Sequence, residues 1–195
     1  MCKGIELDAA AFAVLKEIME DHSAIVFGGN GYSEAWHKMA VEERGLLNLP
    51  TTADALPILK EKYIEELFEK TGVLSVSELE SRFDVYAEQY IQVIEMEAKL
   101  VISIAKTVIY PAAFRYLSEL SASITNLKQI GIEFEQESAE TVASLTKRMM
   151  DTVSKLGNVI GKHDFATIEE HMQYCAKILR PMMDLSSRIC GCHRR

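Results

Sequence analysis

Residues 77–114, SELESRFDVYAEQYIQVIEMEAKLVISIAKTVIYPAAF, decide the fold. Leu79, Phe83, Tyr86, Tyr90 and Val93 step by four, three, four and three, which places them on one seam of a long helix that packs against partners. Ser77 with Glu80 reads as a capping box at its start: the hydroxyl accepts from the backbone amide three residues on while the carboxylate reaches back. Beyond Glu97 the apolar residues run almost all round, through Leu100, Val101, Ile102, Ile104, Ala105, Val108 and Ile109. That predicts burial on several sides, with Leu100, Ile104 and Val108 inside a bundle. Pro111 removes one intrahelical hydrogen bond and clashes one turn back, yet AAFRYLSELSASITNL (112–127) continues in strong helix formers. A kink is predicted there rather than an end.

Outward from this element the pattern stays helical. Gly131 predicts the end of the long helix, and a second helix is read around residues 135–156 from Val142, Leu145, Met149, Val153 and Leu156. Phe165, Ile168, Met172, Cys175, Leu179 and Met182 give a third. On the N-terminal side Asp8 can cap a helix running to about His22, and Ser33 another that stops at Gly45. A further helix starts at Thr52, is interrupted or restarted near Pro57, and ends at Gly72. Ala24–Phe27 is the one segment that reads as strand or extended chain. The expected fold is all-α: an antiparallel bundle of three long helices, one kinked at a proline, with shorter N-terminal helices packed beside it. Residues 1–74 hold the short helices and a Gly-rich loop, 75–189 the bundle, continuous with the first part, and 190–195 a disordered tail.

The 195 residues carry 21 basic against 29 acidic side chains, a net charge of −8 that repels phosphate backbones and anionic lipid surfaces. Nucleic acid and membrane partners are not expected. The N-terminal segment shows no basic stretch followed by an apolar run, so no secretory signal is read, and Ala98–Phe114 falls short of the roughly 20 apolar residues of a spanning helix. Four cysteines, Cys2, Cys175, Cys190 and Cys192, make no disulfide framework. A reducing cytoplasmic setting is the expectation.

Chemistry-bearing patterns are few and incomplete. Gly28–Gly31 precedes a helix N-terminus, where amides could cradle an anion, but it lacks the Lys-Ser/Thr of a P-loop and the third glycine of a dinucleotide fold. The preferred reading is a tight turn that needs φ > 0 at the glycines. Glu34-Ala35-Trp36-His37 has the spacing of a carboxylate-bridged metal site, which needs that motif twice; His163 and Glu169-Glu170-His171 have the wrong spacing to supply the second copy. Asp84, Glu88 and Glu95 read as a solvated acidic stripe. Cys190-Gly191-Cys192-His193 gathers three soft ligands, with Cys175 too far along its own helix to complete a zinc site. His22, His37, His163, His171 and His193 have no nucleophile or carboxylate at a diagnostic spacing. No catalytic, cofactor-binding or metal-binding residue is assigned.

The order of segments says more than any one motif. AIVFGGNGYSEAWHKMAVEERGLLNLPTTADALPIL (24–59), followed by EELFEKTGVLSVSELESRFDVYAEQYIQVIEMEAKLVISIAKTVIYPAAFRY (65–116), resembles the C-terminal region of type III glutamine synthetases. The likeness covers about residues 10–117 and extends as helix pattern to about Met183. It implies a family reaction of ATP-dependent amidation of glutamate, with ATP and Mg or Mn as cofactors of the full-length enzyme and assembly in stacked rings. The family's β-grasp and catalytic domains lie before this region, so the resemblance carries no catalytic residue onto this chain. After LRPMMDL (179–185) the ending SSRICGCHRR departs from the family pattern and reads as a truncation or shifted frame. The expected role is a helical scaffold and assembly region, non-catalytic alone, with the catalytic part and neighbouring subunits as partners. A free-standing helical protein-interaction module of shared ancestry is the alternative.

Overall fold

The structure, a computed structural model, describes residues 6–133, 136–161 and 164–189. It falls into two compact units, Met1–Pro50 and Thr51–Arg195. Among the described residues there is no strand.

In the first unit, α1 spans Leu7–Asp21. Its N-cap is Glu6, with no side-chain cap bond, so Asp8 lies inside the first turn rather than capping it. There its carboxylate still complements the exposed amides of the helix start. Ser23–Ile25 forms a 3-10 turn and Val26 after it is extended, which corrects the strand or extended reading at Ala24 and Ile25. Helix α2, Glu34–Glu42, begins where expected, Ser33 Oγ accepting from the Trp36 amide at 3.2 Å. It closes as the Leu46 N–H reaches Ala40 O at 2.8 Å, a wrap that needs the left-handed φ of +63° at Gly45.

The second unit starts with α3 (Thr52–Ala55), capped by Thr51, and a 3-10 segment, Leu56–Lys60, around Pro57. Helix α4 is Lys62–Thr71, ended by Gly72 at φ +67°. The long helix α5 runs 54 residues, Val76–Gln129. Its capping box is Ser75 with Glu78, two residues before the Ser77 and Glu80 pair suggested by sequence; both pairs fit the same spacing, and Ser75 is the residue with extended backbone. Helices α6 (Glu137–Val159) and α7 (168–189) complete the bundle, each touching α5 and the other.

The buried seam of α5 is Leu79, Phe83, Ala87, Ile91, Ile94 and Ala98, continuing to Ala105. Leu79 and Phe83 are as read from sequence, but Tyr86 and Val93 lie outside, because beyond Phe83 the inward row runs through Ala87, Ile91 and Ile94, one residue on from the row read at Tyr86, Tyr90 and Val93. Leu156 from α6 and Met172, Cys175, Leu179 and Met183 from α7 fill the same core. A second cluster joins Ala105 to Met149 and Val153. Leu100, Ile104 and Val108 are exposed, contrary to the expected burial: Val101, Ile102 and Ala105 take the inward positions, and α6 and α7 cover only that side.

Helix continues through Pro111 with a π segment, Ala105–Ile109, directly before it, where the Tyr110 N–H donates to Ala105 O five residues back. The same device recurs at Cys175–Leu179, where Arg180 N–H reaches Cys175 O just ahead of Pro181. A proline ring collides with the carbonyl four residues earlier, and an extra residue in the preceding turn moves that carbonyl aside.

Candidate functional site

The Gly-rich loop of the first unit is built around an aromatic and cationic stack. Phe27 and Trp36 lie with ring centroids 3.9 Å apart, and Arg44 reaches over Trp36 at 5.1 Å while donating to Val26 O at 2.7 Å and Ala24 O at 3.2 Å. Asn30 Oδ1 accepts from the Tyr32 amide and Asn30 O from Ser33 Oγ. A Cβ on Gly29 would come within 2.5 Å of the Phe27 ring, so that glycine serves the stack. Asn30 and Ser33 thus brace the turn, but Gly28, Gly29 and Gly31 do not take the positive φ that the tight-turn reading asked of them, which corrects that reading. Glu34 and His37 sit on α2 as the spacing predicted, and among the described residues no group of three or more His, Cys, Asp or Glu is placed to hold a metal. His163 and the Cys190, Cys192 and His193 cluster lie outside the described residues.

In the second unit, residues far apart in sequence converge where α7 crosses α5. His171 Nε2 lies 3.1 Å from Glu95 Oε1, and Lys99 stands 3.9 Å from the other carboxylate oxygen. Phe165 stacks on the His171 ring at 4.4 Å, and Tyr174 donates to Val159 O. Glu95 is therefore mostly covered rather than one of a wet stripe, and His171 does have a carboxylate partner, 76 positions away. Sequence spacing cannot show such a pair, because it is made by packing and not by one helix face.

Cys175 is one turn from His171 and fully buried. Burial, with the Glu95 charge adding to it, pushes its thiol up to about 11. A nucleophilic cysteine needs the opposite shift. Beside it Gln173 Nε2 donates to Ala53 O and to Asp54 Oδ1, and hydrogen bonds from Thr51 and Gln173 hold the Asp54 carboxyl below its ordinary value. Lys60 donates to Glu169 at 2.7 Å, raising the ammonium and lowering the carboxyl, and its ammonium also sits 4.6 Å over the Phe83 ring. Tyr90, whose buried hydroxyl has no hydrogen-bond partner among the described residues, is shifted upward by that burial. These groups fasten α3, the 3-10 segment and α7 to α5. Their chemistry is that of a protonated thiol and paired charges, suited to holding helices together.

The apolar surface is the other conspicuous feature. Tyr86, Val93, Met96, Leu100, Ile104 and Val108, all on α5, are between 38% and 62% exposed. By length and composition α5 also contains a window apolar enough to cross a membrane, of mean hydropathy 1.3 with 6% of it buried. The sequence reading of Ala98–Phe114 as too short for this is corrected to that extent, since the helix runs on past both ends. Lys99, Lys106 and Pro111 still interrupt it.

The second unit is thus a long-helix bundle whose helices are joined by paired polar groups and whose longest helix carries an outward apolar stripe. Residues 10–128, more than half of the chain, match the glutamine synthetase C-terminal domain, and the chain belongs to that family. It is 33% identical over 114 residues to the type-3 glutamine synthetase of Dictyostelium discoideum, covering 58% of this chain and 15% of that enzyme. It is also 29% identical over 154 residues to a glutamine synthetase of Bacteroides fragilis (79% and 21%), and 28% identical over 161 residues to one of Butyrivibrio fibrisolvens (76% and 23%). The chain thus spans less than a quarter of the length of these relatives.

Proposed function

We propose that this chain is the helical scaffold and assembly region of a type III glutamine synthetase and makes no glutamine by itself. The observation that carries the reading is the match of residues 10–128 to that enzyme family's C-terminal domain, in a chain whose ionisable groups serve to join helices. Transfer of a phosphoryl group to a carboxylate requires donors that clamp a triphosphate and metal ions that bridge its oxygens. In this reading ATP, Mg or Mn, glutamate and ammonia belong to the catalytic part of the enzyme, and that part and neighbouring subunits are the partners. The setting is the cytoplasm. In this reading residues 1–74 supply the short helices and the Gly-rich loop, and 75–189 the bundle.

Grafting tests this directly. Residues 10–183 replace the corresponding region of the Bacteroides fragilis enzyme, and the chimera is followed by sedimentation and by γ-glutamyl hydroxamate formation with ATP, Mg²⁺ or Mn²⁺, glutamate and hydroxylamine. The chimera is expected to assemble as its parent does and to remain active, while the 195-residue chain alone gives no hydroxamate above a mock preparation. Turnover by the chain alone, or a chimera that folds but fails to assemble, sinks the reading.

A further inference from the structure

The outward stripe of α5 has a polarity that selects its occupant. Tyr86, Val93, Met96, Leu100, Ile104 and Val108 follow at steps of seven, three, four, four and four, the 3-4 rhythm of a helix-pairing seam. The stripe lies off the buried row of Ala87, Ile91, Ile94 and Ala98, with Leu100 and Ile104 at its edge flanking a groove shared with Arg180 and Met183 of α7. From Tyr86 to Val108 it extends about 33 Å at 1.5 Å per residue. The charges of the helix are segregated about its middle. Residues 76–98 carry Glu78, Glu80, Asp84, Glu88, Glu95 and Glu97 against Arg82, a net of 1 − 6 = −5. Residues 99–129 carry Lys99, Lys106, Arg115 and Lys128 against Glu119, a net of 4 − 1 = +3.

We propose that this stripe pairs with the same stripe of a second copy of the chain, antiparallel, about a two-fold axis at Leu100. An antiparallel partner lays the acidic half of one helix along the basic half of the other, and a parallel one sets like against like. With the axis at Leu100, Leu100 meets its own counterpart, Met96 meets Ile104 and Val93 meets Val108. The two residues of exceptional sign agree: Arg82, the lone base of the acidic half, falls opposite Glu119, the lone acid of the basic half, once the extra residue of the π segment is counted. Two-fold symmetry makes each contact occur twice. A net charge of −8 and the glutamates beside the stripe disfavour an anionic bilayer as occupant. One helix face is smaller than the roughly 800 Å² per partner of a standard interface, so pairing of the isolated chain is concentration-dependent. The proposal deepens the assembly reading above by naming the face, the partner and the direction.

The test uses the full chain with Cys2, Cys190 and Cys192 changed to Ser and one new cysteine at a time. Under mild oxidation Leu100→Cys is expected to give a disulfide dimer, whereas Val93→Cys and Val108→Cys alone do not, their counterparts lying on the order of 20 Å apart along the axis. Mixing the Met96→Cys and Ile104→Cys chains gives the heterodimer. In sedimentation equilibrium Leu100→Glu raises the dissociation constant at least about tenfold, about 1.4 kcal/mol, with the helical circular dichroism spectrum unchanged. Arg82→Glu weakens pairing and the added Glu119→Arg restores it. Equal crosslinking at positions 93, 100 and 108 would mean parallel or non-specific association and overturn the proposal. So would a strictly monomeric chain, or binding to neutral or anionic vesicles that Leu100→Glu abolishes. If the graft assembles and Leu100→Cys does not crosslink, the pairing fails while the synthetase reading stands; if Leu100→Cys crosslinks and the graft does not assemble, the reverse holds.

Discussion

The two ends of α5 are made of similar residues and are held very differently. Its first 29 residues, Val76–Ile104, bury Leu79, Phe83, Ala87, Ile91, Ile94 and Ala98, whereas the last 20, Tyr110–Gln129, bury Ile124 alone. The near end is clasped by the 3-10 segment, α4 and α7, and the far end packs along α6. Helicity alone does not decide which part of a long helix is core; the number of neighbouring elements does. Stability should therefore be concentrated near Phe83 and decline toward Gly131.

The contrast breaks most visibly at Phe83, which is fully buried under Lys60. Phe83→Ala should cost about 3–5 kcal/mol, read as a lowered urea midpoint with unchanged slope. A midpoint within error of the parent would mean that the near end is not the core. At the far end Ile124→Ala should cost less than Phe83→Ala, because fewer neighbours surround the site. On the outward stripe, Leu100→Ala and Ile104→Ala should each cost under about 1 kcal/mol in dilute monomeric chain, as for surface sites. A loss of about 2–5 kcal/mol at Leu100 would instead restore it to the interior.

A smaller effect sharpens the start of the helix. Ser75→Ala removes the cap of α5 and should cost about 1 kcal/mol, while Ser77→Ala, inside the first turn, should cost much less. Comparing the two midpoints decides between the competing capping boxes. The reverse order would assign the helix start to Ser77.

What the sequence made legible follows from what is local. Helix existence, the glycine stops at Gly45, Gly72 and Gly131, the Ser33 cap and the passage of helix through Pro111 all depend on residues within a turn or two. The facing side of α5 does not. A stretch with apolar residues on every side, such as 100–109, gives no phase, so the inward choice of Val101, Ile102 and Ala105 over Leu100, Ile104 and Val108 comes only from where α6 and α7 lie. The π segments shift the phase further, and proline marks their position but not their turn. The Glu95 and His171 pair was invisible for a related reason: two residues 76 positions apart meet because two helices cross, and neither has a motif around it. Family membership was legible because ordered segments over most of residues 10–117 agree at once, which no single packing choice can disguise.

The smallest effect is a pH dependence that belongs to the near end. Hydrogen bonding to Lys60 holds the Glu169 carboxyl below its ordinary 4.5, so its contribution to stability is present above that value and lost as the pH falls through the folded one. The same bond holds the Lys60 ammonium above its ordinary 10.5, so that contribution is present below 10.5 and lost as the pH rises through the folded value. The link is thus intact between these limits and weakens at both. Lys60 is about half exposed, at 47%, so solvent screening keeps the whole effect within about 1 kcal/mol. Lys60→Met should flatten the alkaline limb and part of the acid limb in a plot of urea midpoint against pH. The rest of the acid limb remains, because Asp54 is held down independently by Thr51 and Gln173. Glu169→Gln should flatten the same part of the acid limb, and the double substitution should add little beyond either single one, since both remove one interaction. Fully additive losses would show that Lys60 acts through its place over Phe83 rather than through Glu169.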